Sequence, residues 1–187
     1  LNRFTGETVL NWGPLNDIGT PGDMAFDPYL ATMYASSTSL DSLFLAYWGE
    51  LIGPFGDPSI DMTGLAWNAN NDTLYGASLG GLYTIDTATG AATLVGNTGI
   101  PGESNLTFDP SRSVMYLTSS HSDSLYSLDL VTAAATLIGP LNGPTNPRGV
   151  AYVPDDDAIY LVCSDTQILY SVDRSTGAAT AIGSIEP

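Results

Sequence analysis

The stretch LYTIDTATGAATLVG, residues 82–96, decides the fold, because near copies of it stand downstream at 125–139 (LYSLDLVTAAATLIG) and 169–183 (LYSVDRSTGAATAIG). Each copy reads as two short strands rich in Tyr, Ile, Val and Thr around a D-x-x-T-G turn. Asp86, Asp129 and Asp173 open the turns, and Gly90 and Gly177 supply the positive φ that closes them. Ala133 replaces the glycine in the middle copy, which predicts strain or a different turn there. A second phrase precedes each of the three copies and occurs once more upstream: GDMAFDPYLATMYASST (22–38), TGLAWNANNDTLYGASL (63–79), SNLTFDPSRSVMYLTSS (104–120) and RGVAYVPDDDAIYLVCS (148–164). Phe26, Trp67, Phe108 and Tyr152 take equivalent places in these segments.

The period of about 40–45 residues, built only of short strands, is that of β-propeller blades. The expected fold is all-β, with four complete four-stranded antiparallel blades at about 22–53, 63–96, 104–139 and 148–183. Ala25, Ala66, Thr107 and Ala151 sit between bulky neighbours on the innermost strands, where blades converge. The first complete unit departs from the pattern, because LFLAYWGELIG (43–53) lacks the Asp and the Thr-Gly. Residues 1–13, opening LNRFTGETVL, read as an extra outer hairpin whose strand is surplus to four blades. Three expectations follow: a piece of a longer propeller, a compact four-bladed ring with a redundant strand, or a strand that pairs with another copy. The 187 residues are read as one propeller domain or a fragment of one.

Twenty acidic residues face four arginines and no lysine, a net charge of −16. That balance argues against nucleic-acid binding and against anionic membranes, both of which need a basic footprint. No apolar run approaches a membrane span. Cys163 is alone and sits in an apolar run, so it reads as a buried thiol. The chain opens on Leu1, and an upstream segment is expected to have been removed.

Candidate site residues come from the loops entering the innermost strands: Asp23, Asp61, Asn105 and Arg148. Oxygens of the first three could hold calcium at one mouth of the channel, whereas Arg148 would repel it. His121-Ser122-Asp123 carries the letters of a nucleophilic triad, but adjacent residues on one loop cannot converge as a triad must. Asp155-Asp156-Asp157 lacks calcium-loop spacing and falls on a turn. Trp12, Tyr47 and Trp48 lie outside the repeat pattern and are candidate contact residues. Asn71 begins an accessible glycosylation sequon, and Asn105 begins one that enters a strand.

The three hairpin copies, with GLAWNANNDTLY and LTFDPSRSVMY, resemble the secreted bacterial β-propeller repeats of lactonase-like and NHL-type proteins. The resemblance implies an exported, extracellular or cell-surface location. Its members include lactonases, lyases, protein- or glycan-binding modules and surface-layer components. Two functions are therefore carried forward. One is a non-enzymatic module that binds a protein, a glycan or copies of itself through edge strands. The other is a calcium-dependent hydrolase or lyase at the channel mouth.

Overall fold

A computed structural model of the chain describes residues 18–47, 49–56 and 60–185. These build an all-β propeller of four antiparallel four-stranded blades. Blade 1 comprises β1 (Pro21–Asp27), β2 (Thr32–Ser37), β3 (Ser42–Leu45) and β4 (Glu50–Pro54). Blade 2 holds β5 (Gly64–Asn68), β6 (Thr73–Ser78), β7 (Gly81–Ile85) and β8 (Ala92–Asn97). Blade 3 holds β9 (Ser104–Asp109), β10 (Val114–Ser119), β11 (Ser124–Leu128) and β12 (Ala135–Pro140). Blade 4 holds β13 (Pro147–Val153), β14 (Ala158–Cys163), β15 (Ile168–Val172) and β16 (Ala179–Ser184). Strands run in chain order from channel to rim, as the period predicts. The surplus N-terminal strand, Trp12 and Trp48 fall outside the described residues.

The core lies between blades. Ala25, Tyr34, Leu43 and Phe55 of blade 1 pack on Met62, Leu65, Leu74 and Ile85 of the next unit. Tyr34 stacks on Trp67 with ring centroids 6.1 Å apart. Equivalent clusters join the second blade to the third and the third to the fourth. Inner strands β1 and β5, β5 and β9, and β9 and β13 pack side by side, whereas β1 and β13 share no packing of that extent. Burial follows: every residue of β9 is buried, but only Ala25 and Asp27 of β1 and only Pro147 and Val150 of β13 are.

One backbone contact recurs at all three junctions. The outer strand of each blade carries a glycine, Gly53, Gly96 or Gly139, against which the next blade's Thr-Gly turn is pressed. A β-carbon on Gly53 or Gly139 would run into the carbonyl oxygen of Thr89 or Thr176, so only glycine permits the approach. The amide beyond each turn then bonds across the junction: Ala92 to the Phe55 carbonyl at 2.8 Å, Ala135 to Thr98 at 3.3 Å, and Ala179 to Leu141 at 2.9 Å. The long one belongs to the turn with Ala133, which is fully buried at φ 65°, where Gly90 and Gly177 have φ 80° and 78°. Its methyl group faces Gly96 across the junction, next to the Thr132 carbonyl. The substitution is thus accommodated by a left-handed alanine and a longer cross-junction bond.

Within each turn the aspartate accepts the amides that follow. Asp86 takes Ala88 at 2.8 Å and Thr89 at 3.0 Å, and Asp129 takes Val131 and Thr132 at the same distances. Gly139→Val is expected to destabilise the fold by about 3 kcal/mol through overpacking against backbone. Ala133→Gly should change stability by less than about 1 kcal/mol, because relief of left-handed strain offsets the lost methyl burial. Urea unfolding of the two variants checks both values.

Candidate functional site

The four inner strands line a cavity of about 480 Å³. It is lined by Phe26, Trp67, Phe108 and Tyr152 at equivalent strand positions, with Met24, Ala151 and the turn residues Pro28, Pro110 and Pro154. Met24 and Phe26 are about half exposed, at 51% and 47%. Thr107 brings a hydroxyl to this wall, but it is already engaged by the Tyr152 amide at 2.7 Å. The walls are therefore apolar and aromatic, of the size and character of a ligand pocket.

Asp23 and Asn105, expected on loops entering the innermost strands, lie within β1 and β9, where they bond across the blade junctions. Asp23 Oδ2 accepts the Leu65 amide of the next blade at 2.9 Å, and Oδ1 accepts the Met24 amide at 2.8 Å. Thr63 Oγ1 donates to the Ser104 carbonyl at 3.1 Å, and Asn105 Nδ2 to the Pro147 carbonyl at 3.1 Å, so each inner strand reaches its successor in the same way. Burial drives the Asp23 carboxyl up to about 7, against the opposing pull of the Leu65, Met24 and Leu106 amides. Asp61 is exposed on the loop before β5. Arg148 is exposed and ion-paired with Glu103. Among the described residues, no three His, Cys, Asp or Glu side chains gather closely enough to hold a metal ion.

His121, Ser122 and Asp123 do not converge. Ser122 Oγ meets the Tyr126 hydroxyl at 2.9 Å, while Asp123 Oδ1 accepts the Asn146 amide at 2.8 Å. Cys163 is buried, with its thiol on the Thr145 carbonyl. Tyr47 is 54% exposed. Asn71 is exposed on its turn and donates to the Tyr75 hydroxyl at 3.2 Å, whereas Asn105 is buried and out of a transferase's reach.

The turn Asp155-Asp156-Asp157 belongs to a cluster that sequence reasoning missed. Asp157, at φ 51°, is gripped bidentately by Arg112 (2.7 and 3.1 Å) and by Arg174 (2.8 and 2.9 Å). Tyr152 donates its hydroxyl to the same carboxylate at 2.8 Å, and Arg174 lies 5.7 Å from the Tyr152 ring centroid. Fully buried Asp109 receives Arg174 at 2.8 Å and Arg112 at 3.1 Å. Burial acts upward on Asp109, but the Ser111 and Arg112 hydrogen bonds outweigh it and hold its carboxyl below the ordinary range. Arg174, Arg112 and Tyr152 hold Asp157 far lower. The one signal in the sequence was that two of only four basic residues fall in these turns.

No family model matches the chain, and no curated protein matches it. Solved structures do. A chain of a nidogen/laminin complex superposes with a TM-score of 0.67 at 15% identity, over 88% of this chain and 64% of that one. A Bacteroides thetaiotaomicron protein of unknown function gives 0.69 at 16% identity, over 87% and 47%. An inactive virginiamycin B lyase from Staphylococcus aureus, solved with quinupristin, gives 0.57 at 14% identity, over 84% and 53%. These likenesses establish the β-propeller fold. The matched region spans between about half and two-thirds of each of those chains.

Two outcomes are expected. Asp23 binds its proton more tightly folded than unfolded between pH 3.8 and about 7. Its contribution therefore weakens the fold as pH rises through that window, and Asp23→Asn should flatten the slope of Tm against pH there. Asp109 and Asp157 have lowered carboxyls, so their stabilisation is present at neutral pH and is lost as pH falls below about 4. Arg174→Ala should cost about 2 kcal/mol at pH 7 by leaving Asp109 short of a charged partner. Thermal melts from acid to mildly alkaline pH read both effects.

Proposed function

We propose that the chain is a non-enzymatic, extracellular propeller module that binds a protein partner through the mouth of its central cavity. The observation that carries this reading is the cavity wall: four inner strands contribute an aromatic residue each to a space of about 480 Å³. Such a wall favours an apolar side chain of a partner over a sugar, whose hydroxyls would lose water without gaining hydrogen bonds. The nidogen/laminin neighbour, a propeller seen within a protein complex, supports it by analogy of fold alone. The resemblance to secreted repeats supports the extracellular location. Assembly through edge strands belongs to the same reading, since β4, β8, β12 and β16 each end a sheet.

A calcium-dependent hydrolase at Asp23, Asp61 and Asn105 makes a contrary demand. Both Asp23 oxygens already accept amide hydrogens, and those donors occupy the positions from which a cation would be bound.

The test uses a neutral apolar dye, N-phenyl-1-naphthylamine, titrated while the emission of Trp67 is followed against a Trp67→Phe control. Saturable binding is expected, and Ala151→Phe, at an exposed position on the cavity wall, should weaken it about tenfold or more without lowering Tm. Calcium-dependent lactone hydrolysis that Asp23→Asn abolishes would replace the binding reading with the enzymatic one.

A further inference from the structure

The arginine cluster between the third and fourth blades has an incomplete counterpart between the first and second. Asp27 ends β1 as Asp109 ends β9, and both are fully buried. Both use Oδ1 in the same way: Asp27 accepts the Tyr29 and Leu30 amides at 2.8 and 3.2 Å, and Asp109 those of Ser111 and Arg112 at 2.9 and 3.1 Å. Asp72 stands where Asp157 stands, on the following blade's inner turn, with φ 55° against 51°. The two arginines are what differ. Leu30 takes the place of Arg112, and Thr87, after the Asp86 that opens its turn, takes the place of Arg174 after Asp173.

The consequence is visible on Asp27. Its Oδ2 is buried with no hydrogen-bond partner among the described residues, whereas Asp109 Oδ2 receives both guanidinium groups. Leaving a buried carboxylate oxygen unpaired is costly, and such an atom calls for a ligand. Tyr34 of β2 and Tyr116 of β10 report the same contrast. Burial raises Tyr116, and Asp109 raises it further while Arg174 and Arg112 oppose. Burial likewise raises Tyr34, a bond with Thr87 opposes, and Asp27 and Asp72 both act upward with no arginine against them. Asp27, Asp72 and Thr87 thus all act on Tyr34, and among the described residues no arginine acts with them.

We propose that the junction of the first two blades is a cation site, in which Asp27 Oδ2, the Asp72 carboxylate, the Thr87 hydroxyl and the Tyr34 hydroxyl bind a hard metal ion of the calcium class. The donor set is all oxygen, as hard cations require, and two carboxylates match a divalent charge. The ion does at this junction what Arg112 and Arg174 do at the third: it neutralises a buried aspartate and ties one blade's turn to the next. A small ion fits better than a partner's side chain, because Asp27 has no exposed surface for a guanidinium to reach. This site is separate from the Asp23 end of β1 and does not depend on the binding reading above.

The test titrates the metal-free protein with calcium chloride, following Tm, and with terbium, following luminescence excited through Trp67, which stacks on Tyr34. Millimolar calcium should raise Tm by about 3 °C or more, as ligand linkage to a domain of this size provides. Asp72→Asn, at an exposed turn position, should remove most of the shift and the terbium signal, and Asp23→Asn should leave both intact. The paired variant Leu30→Arg with Thr87→Arg rebuilds the arginine cluster. It should melt higher than wild type without calcium and should no longer respond to it. No calcium response in wild type, or a response that Asp72→Asn and the paired arginine variant both retain, would overturn the site.

Discussion

Each blade is fastened to the next where a Thr-Gly turn presses into a glycine notch on the neighbouring outer strand, and the rest of the architecture depends on that close approach. Removing the β-carbon at Gly53, Gly96 and Gly139 lets one backbone lie against another, and a cross-blade amide bond follows at every junction. The spacing it sets allows the leucines, tyrosines and methionines of facing sheets to form three continuous clusters. Ala133 shows the tolerance of the device: one methyl group is absorbed, at the expense of a left-handed alanine and a longer hydrogen bond.

Polar side chains reinforce the same junctions at both ends of the inner strands. At one end Asp23, Thr63 and Asn105 each reach the following blade. At the other, the Tyr29 hydroxyl donates to the Ala69 carbonyl at 3.1 Å, Asn70 Nδ2 to Pro110 at 3.0 Å, and two arginines clasp Asp157. In a chain with a net charge of −16, spending two of four arginines on one junction concentrates scarce positive charge where a carboxylate is fully buried. The apolar cavity is then what these ties hold open at the centre.

The blades were legible because their signals are local. Turn aspartates, Thr-Gly pairs and alternating strands repeat at a fixed period, so strand order followed directly. Burial was not legible, because it depends on what stands alongside. Met24-Ala25-Phe26 and Leu106-Thr107-Phe108 share a pattern, yet β9 is wholly buried while Met24 and Phe26 face the cavity half exposed. Asp23, Asn105 and Arg148, expected on the loops, lie within β1, β9 and β13, and their partners stand some forty residues away in sequence: on the next blade for Asp23 and Asn105, and in the loop before the preceding blade for Arg148. The arginine cluster escaped notice for the same reason, since its members come from three different turns.

Hydrogen exchange at three amides tests the blade-to-blade contact most directly. Ala92 and Ala179, bonded across their junctions at 2.8 and 2.9 Å, should exchange as slowly as amides within the strand ladders, and Ala135, at 3.3 Å, measurably faster than either. Exchange of all three at the rate of exposed loop amides would contradict the account, because the turns would then not be seated against the neighbouring blades.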